Sequence, residues 1–301
     1  MSESGQTWIE ASIHVSSEYA LQIETLLASM DVLSITLTDP ADTPVLEPGV
    51  GETPLWPDVV VTGLFSSETN IDELRSTLAR APGVAAIAGV GISILGDRDW
   101  ARAWLAEFKP MKFGRDLWIV PGGQQAPDPQ ATIIKLDPGL AFGSGTHPTT
   151  RLCLEWIDEQ NLQARSFMDY GCGSGILGIA AALKGASKVV CIDNDPQALI
   201  ATNDNAARNG VESRVITAGP DRQETTTFDV IAANILAGTL LKLAPVLCSA
   251  LKPGGLIALS GILKDQAEEL VREYAGWLDD IEQRNLEDWV LISGKRKERA
   301  K

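Results

Sequence analysis

The stretch that decides the fold is residues 169–175, which read Asp-Tyr-Gly-Cys-Gly-Ser-Gly. An apolar run precedes it, a helix-like run follows it, and a second apolar run then ends in Asp193. This order predicts a strand, a glycine turn, a helix and a second strand. Glycines let the backbone approach a ligand closely, and a carboxylate after the second strand can hold the two hydroxyls of a ribose. The sequence therefore predicts a nucleoside-containing cofactor, with Gly171, Gly173 and Asp193 among its contacts.

The spacing of the glycines discriminates between cofactors. A dinucleotide fingerprint reads G-x-G-x-x-G or G-x-G-x-x-A, but its last position is occupied here by the bulky Ile176. Asp169, just before the turn, would also repel a phosphate. S-adenosylmethionine has a ribose and no phosphate, so it fits better, with the ribose on Asp193 and the methionine end near the glycines. A nicotinamide-dependent oxidoreductase remains an alternative, as does a turn that needs its glycines only for backbone angles.

Length and composition bound the class of protein. A chain of 301 residues predicts two domains, and no apolar run in it is long enough to span a membrane. The first residues lack the features of a signal peptide. The four cysteines and two histidines show no metal-ligand spacing. These features predict a cytoplasmic protein without a bound metal.

The charge is strongly acidic and unevenly distributed. The formal net charge is −15, and residues 1–96 contain 13 acidic side chains and two basic ones. An acidic surface disfavours contact with the phosphates of nucleic acid, whereas it could attract a basic protein through long-range electrostatics. Simple solubility is the alternative explanation of this charge.

The pattern of elements predicts two different folds along the chain. Residues 1–96 show the order βαββαβ of a ferredoxin-like domain, with a loop over 39–57. Residues 97–136 are predicted to hold a connecting helix, 97–108, and a linker segment. Residues 137–301 alternate strands and helices, as in a mostly parallel, doubly wound, Rossmann-like α/β sheet with an antiparallel edge. Its late elements are predicted as a turn over 252–255, a strand over 256–261, a helix over 264–277 and strands over 281–286 and 289–293.

Two further segments carry polar groups to the carboxyl edge of that sheet. Asn234 ends the fourth strand, where its amide offers both a donor and an acceptor, although it could be only a turn residue. The glycine-rich loop over 136–150 ends in a helix start where Thr150 could meet a cofactor, and Thr149 or Thr150 could instead be a plain helix cap. His147 is a candidate general base, with a structural role as the favoured alternative.

Four segments together resemble the bacterial ribosomal protein L11 methyltransferase family: 136–150, 169–175, 193–196 and 234–236. The resemblance implies transfer of methyl groups from S-adenosylmethionine to amino groups of one basic large-subunit ribosomal protein, namely lysine side chains and the N-terminal amine. It implies cofactor contacts from Thr150, Gly171, Asp193 and Asn234, to which the glycine turn adds Asp169 and Gly173. Asn234 is also expected to orient the accepting amine.

The same resemblance implies that the acidic residues 1–96 form a substrate-recognition domain and that 137–301 form the catalytic domain. The favoured oligomeric state is a monomer, with no direct contact to nucleic acid or to a membrane. A methyltransferase that acts on another protein, on RNA or on a small molecule stays open as an alternative. An aromatic residue for stacking a flipped base does not follow Asn234, which counts against nucleic acid.

Overall fold

The structure is a computed structural model that describes residues 7–40, 56–84, 89–96, 109–121, 124–125, 128, 131–136, 147–221 and 227–298. The predicted connecting helix over 97–108 and most of the loops over 39–57 and 136–150 lie outside these residues. The chain divides into two compact units, 1–104 and 105–301. Within the described residues, no helix is long and apolar enough to cross a membrane.

The first unit contains one sheet of four strands in the order β2-β3-β1-β4, and every pairing in it is antiparallel. Its elements are β1 (Trp8–Ser16), α1 (Ser17–Ala28), β2 (Ser34–Thr38), β3 (Asp58–Ser66), α2 (Ile71–Leu78) and β4 (Val90–Leu95). Alternate residues of β1, such as Ile9, Ala11 and Ile13, are buried because a strand covered on one face needs apolar side chains at every second position. This topology confirms the predicted ferredoxin-like domain.

The second unit contains a sheet of seven strands in the order β10-β9-β8-β11-β12-β14-β13. Strands β8 to β12 pair in parallel, and β13 and β14 pair antiparallel at one edge, as the sequence predicts. Its strands are β8 (Ser166–Tyr170), β9 (Lys188–Ile192), β10 (Val215–Ala218), β11 (Phe228–Asn234), β12 (Leu251–Leu263), β13 (Leu278–Leu286) and β14 (Trp289–Arg296). Its helices are α3 (Pro148–Glu159), α4 (Ile176–Leu183), α5 (Pro196–Arg208), α6 (Ala237–Ala250) and α7 (Ala267–Tyr274).

Helices cover both faces of this sheet. Ile179 of α4 and Leu154 of α3 belong to one buried apolar cluster, whereas Leu240 of α6 and Tyr274 of α7 belong to another. Burial on both faces explains why the central strands are apolar at consecutive positions. The carboxyl ends of β8, β9 and β11 therefore meet at one edge, where a ligand can bind.

A second, smaller sheet lies within the segment that the sequence predicts as a linker. It consists of β5 (Met111–Phe113), β6 (Leu117–Val120) and β7 (Thr132–Lys135). Its side chains Phe113, Leu117 and Ile134 are fully buried in the same apolar cluster as α3 and α4. The described part of 97–136 therefore packs into the second unit as a sheet, where the sequence predicts a linker. The sheet was not predicted because short strands between turn-rich stretches give only a weak sequence signal.

The boundaries of four late elements also differ from the prediction, among them β14, which ends at Arg296. Strand β12 already begins at Leu251, because residues 252–255 form an irregularity in the ladder: Leu251 pairs with Phe228, and the next pair joins Leu256 to Val230. Helix α7 covers only 267–274, and β13 begins at Leu278. Proline and glycines are compatible with such a bulge within a strand. In the sequence alone, the same residues are typical of a turn.

Candidate active site

The glycine turn between β8 and α4 has a backbone that other residues rarely adopt. The φ angles of Gly171, Gly173 and Gly175 are 74°, 54° and 78°, in the left-handed region. The N–H groups of Gly171 and Cys172 both donate to the carbonyl of Ile192, at 2.7 and 3.0 Å. These bonds fold the turn against the end of β9, and they place the predicted contacts Gly171 and Gly173 beside Asp193.

Asp193 follows β9 and is joined to the turn through its carboxylate. Its Oδ2 accepts a hydrogen bond from the N–H of Gly173 at 2.9 Å, and its Oδ1 accepts one from the N–H of Asp195 at 3.0 Å. An ionised carboxyl has about four acceptor positions, so each oxygen can accept one more donor. The half-buried Asp193 is thus able to hold the two hydroxyls of a ribose while it fixes the turn.

Asn234 and Thr150 come together at the same edge of the sheet, although they lie 84 residues apart in the sequence. Asn234 is the last residue of β11, and Thr150 is buried in the first turn of α3. The Nδ2 of Asn234 donates to the Oγ1 of Thr150 at 3.4 Å. This contact turns the donor side of the amide towards the helix and leaves the amide oxygen as an acceptor for another group.

His147 caps the start of α3. Its Nδ1 accepts a hydrogen bond from the N–H of Thr149 at 3.3 Å and lies 2.7 Å from the Oγ1 of Thr149. Its ring packs edge-on against Trp289, with the centroids 4.8 Å apart. Burial lowers the pKa of His147, and the charge of Glu287 opposes this effect. Because Nδ1 lies at the helix start, the structural role fits this placement, and the general-base role stays the alternative.

The carboxyl of Asp169 is bound to the start of α4, and both burial and the nearby charge of Asp193 raise its pKa. Its side chain is fully buried, its Oδ2 accepts the N–H of Gly178 at 2.9 Å, and its Oδ1 has no partner among the described residues. Burial raises the pKa of this carboxyl to about 7, with the Gly178 hydrogen bond acting in the opposite direction. The carboxyl of Asp169 thus joins β8 to the start of α4, and its contact with a cofactor stays a prediction.

Sequence reasoning missed two residues at this edge. Gly261 has a φ of 82° near the end of β12, and any side chain there would overlap the carbonyl oxygen of Ile235. Trp289 begins β14 and packs on His147. Gly261 could have been found, because it ends the predicted strand over 256–261 in the same way as Asn234 ends the fourth strand. The contact of Trp289 depends on an antiparallel pairing that local patterns do not reveal.

The family model and the curated relatives agree on one family. The family model described as ribosomal protein L11 methyltransferase matches residues 7–297 of this chain. A curated relative of that name from Marinobacter nauticus is 48% identical over 297 residues, which cover 97% of this chain and 99% of the relative. A second, from Shewanella woodyi, is 46% identical and covers 96% of this chain and 99% of its own.

A solved structure gives the same result for part of the chain. The ribosomal protein L11 methylase from Lactobacillus delbrueckii subsp. bulgaricus superposes with a TM-score of 0.59 at 34% identity, over 63% of this chain and all of that one. The family model and the two relatives extend the similarity over both units of the chain. The chain therefore belongs to the ribosomal protein L11 methyltransferase family.

Proposed function

We propose that this chain transfers methyl groups from S-adenosylmethionine to amino groups of ribosomal protein L11, at lysine side chains and at the N-terminal amine. The observation that carries the proposal is the arrangement at the sheet edge, where Asp193, the glycine turn and Asn234 converge in a member of this family. The ribosomal substrate implies that the reaction takes place in the cytoplasm, which stays a prediction.

The residues at this edge fit S-adenosylmethionine. The carboxylate of Asp193 would hold the two ribose hydroxyls, because each of its oxygens can accept one more hydrogen bond. Gly171 and Gly173 would allow the cofactor to approach the backbone, and Thr150 would offer a hydroxyl near Asn234. Asp169 would contribute from beneath by fixing α4 to β8. The bound sulfonium supplies an activated methyl group, so the protein needs neither a metal nor a covalent intermediate.

The protein has to bring a neutral amine into line with that methyl group. A lysine amine has an ordinary pKa of about 10.4, and partial removal of water in the cleft would lower it. The amide oxygen of Asn234 would then accept an N–H of the amine, which turns the nitrogen lone pair towards the methyl carbon. Alignment of this kind supplies a large part of the rate in a simple displacement.

The first unit would recognise the substrate. Its sequence to residue 96 contains 13 acidic and two basic side chains, and a ribosomal protein substrate is basic. Opposite charge speeds encounter and favours the correct partner over other proteins. An acidic recognition module therefore suits a basic protein substrate better than a nucleic acid.

Two measurements test this function together: the binding of S-adenosylmethionine, and the identity of the molecule that receives its labelled methyl group. Calorimetry should show cofactor binding by the natural protein, and Asp193→Ala should weaken it by about 100-fold, since two hydrogen bonds to a charged group are lost. Asp204→Ala is the matched control, because it removes an exposed carboxylate from α5. With undermodified ribosomes, labelled methyl groups should enter one large-subunit protein; label in RNA would reject the substrate and retain the cofactor.

A further inference from the structure

Ile235, the residue after Asn234, is held from three directions. Its N–H donates to the carbonyl of Ser260 at 3.1 Å. Its carbonyl lies so close to Gly261 that a Cβ there would be 2.8 Å from the carbonyl carbon. Its Cγ2 methyl fills the space that a side chain on Gly171 would need. The half-buried Ile235 is thus fixed between the cofactor turn and the end of β12.

The groups around Ile235 are themselves firmly placed. Ser260 is fully buried, and its Oγ donates to the carbonyl of Val290 on β14 at 3.2 Å. Gly171 is tied to Ile192 by a hydrogen bond of 2.7 Å. Ile235 therefore spans two anchored parts of the site, and the amide of Asn234 is attached directly to it in the chain. The contact of Ile235 with Gly171 therefore joins the segment that carries Asn234 to the glycine turn.

We propose that Ile235 is a positioning residue for methyl transfer, and that its Cγ2 methyl against Gly171 sets the distance between the Asn234 amide and the methyl donor. This inference rests on the proposed function. Methyl transfer requires the amine and the methyl carbon in near contact, and a displacement of about 1 Å can reduce the rate by about 100-fold. Cofactor binding depends on Asp193 and the turn, so it would change little.

Two substitutions separate positioning from simple filling of space. Ile235→Val keeps both carbon branches on Cβ, including the Cγ2 methyl that meets Gly171, and is the smaller side chain. Ile235→Leu keeps the volume of isoleucine but has no methyl on Cβ. A residue that only fills space should tolerate leucine at least as well as valine, because volume-conserving apolar exchanges disturb a core least. A positioning residue should show the reverse order.

The experiment measures kcat for L11 methylation and the affinity for S-adenosylmethionine in both variants. We expect Ile235→Leu to lower kcat by about tenfold or more, Ile235→Val to stay within about twofold, and cofactor affinity to change less than about threefold in either. The same pair at Ile231, a fully buried residue of the preceding strand β11, is the matched control. Both control variants should retain kcat.

Three results would overturn the inference: equal kcat in the leucine and valine variants, the same loss in Ile231→Leu, or a parallel fall in cofactor affinity. If Ile235→Leu does not fold, Ile235→Met, which is also unbranched at Cβ, replaces it with the same expectation. Failure of the natural protein to methylate L11 would reject the proposed function instead, so the two failures are distinguishable.

Discussion

Among single residues, Asn234 is the one whose substitution should lower turnover more than cofactor affinity. We expect Asn234→Ala to lower kcat by about 100-fold, because the amine loses the acceptor that orients its lone pair. Cofactor affinity should fall far less, since the proposed ribose contacts of Asp193 would remain. Steady-state kinetics and cofactor titration measure the two effects, and Asn285→Ala, which removes an exposed amide from β13, is the control. Equal losses of turnover and affinity would make Asn234 a cofactor ligand only.

A second residue, Asp169, makes stability depend on pH. Its pKa is raised from the ordinary 3.8 to about 7 by burial, so the folded protein favours the protonated carboxyl. The stabilisation is complete below the pKa of the unfolded chain and is lost as pH rises through about 7. Between these two pKa values the free energy of unfolding falls by up to about 1.4 kcal/mol per pH unit.

Asp169→Asn should remove this loss, because an amide does not ionise as the pH rises. The amide oxygen can still accept the N–H of Gly178, so the contact with α4 is kept. Urea unfolding at about pH 5 and about pH 8 measures it: the natural protein should lose more free energy of unfolding between the two than the variant. Identical pH profiles for both proteins would show that ionisation of Asp169 does not lower the free energy of unfolding.

Among the elements, helix α5 depends on the cap that follows Asp193, the carboxylate proposed to bind the ribose. The Oδ1 of Asp195 accepts the N–H of Gln197 at 2.8 Å, and Pro196 occupies the first helical position. Asp195→Ala should lower the free energy of unfolding of the second unit by about 1 kcal/mol, since a helix donor loses its partner. The backbone N–H of Asp195 that holds Asp193 is retained, so cofactor affinity should change little.

The equivalent cap in the first unit provides the control. Asn70 accepts the N–H groups of Asp72 and Glu73 at the start of α2, at 3.1 and 3.2 Å. Asn70→Ala should cost a similar free energy of about 1 kcal/mol and leave cofactor affinity unchanged. A large loss of cofactor affinity in Asp195→Ala would mean that the side chain, and not only the backbone, of Asp195 supports Asp193.

Some of these elements could be predicted from the sequence, and others could not. The strand, turn and helix around Gly171 and the position of Asp193 could be predicted because glycine backbone angles and apolar runs are local signals. The start of β12 at Leu251 could not, because a bulge of four residues containing proline and glycine resembles a turn until the neighbouring strand is known. The burial of Asp169 was missed for the same reason, since the direction of its carboxyl depends on the packing of α4.

At the scale of the whole molecule, the charge of the chain should act on substrate encounter and not on the cofactor. The net charge of −15 is concentrated in residues 1–96, and salt screens exposed charges beyond about 8 Å at physiological ionic strength. We expect the KM for L11 to rise with salt while the affinity for S-adenosylmethionine stays nearly constant. Kinetics and calorimetry across a salt series measure both, and a KM for L11 independent of salt would contradict an electrostatic role of the first unit.

The central claim is that this chain methylates amino groups of L11 with S-adenosylmethionine. The most direct test is the intact mass of purified, unmodified L11 after incubation with the protein and the cofactor. We expect a series of mass increments of one methyl group each, located by fragmentation on lysine side chains or the N-terminal amine and absent with Asp193→Ala. An unchanged mass of L11 in the presence of cofactor-bound natural protein would contradict it.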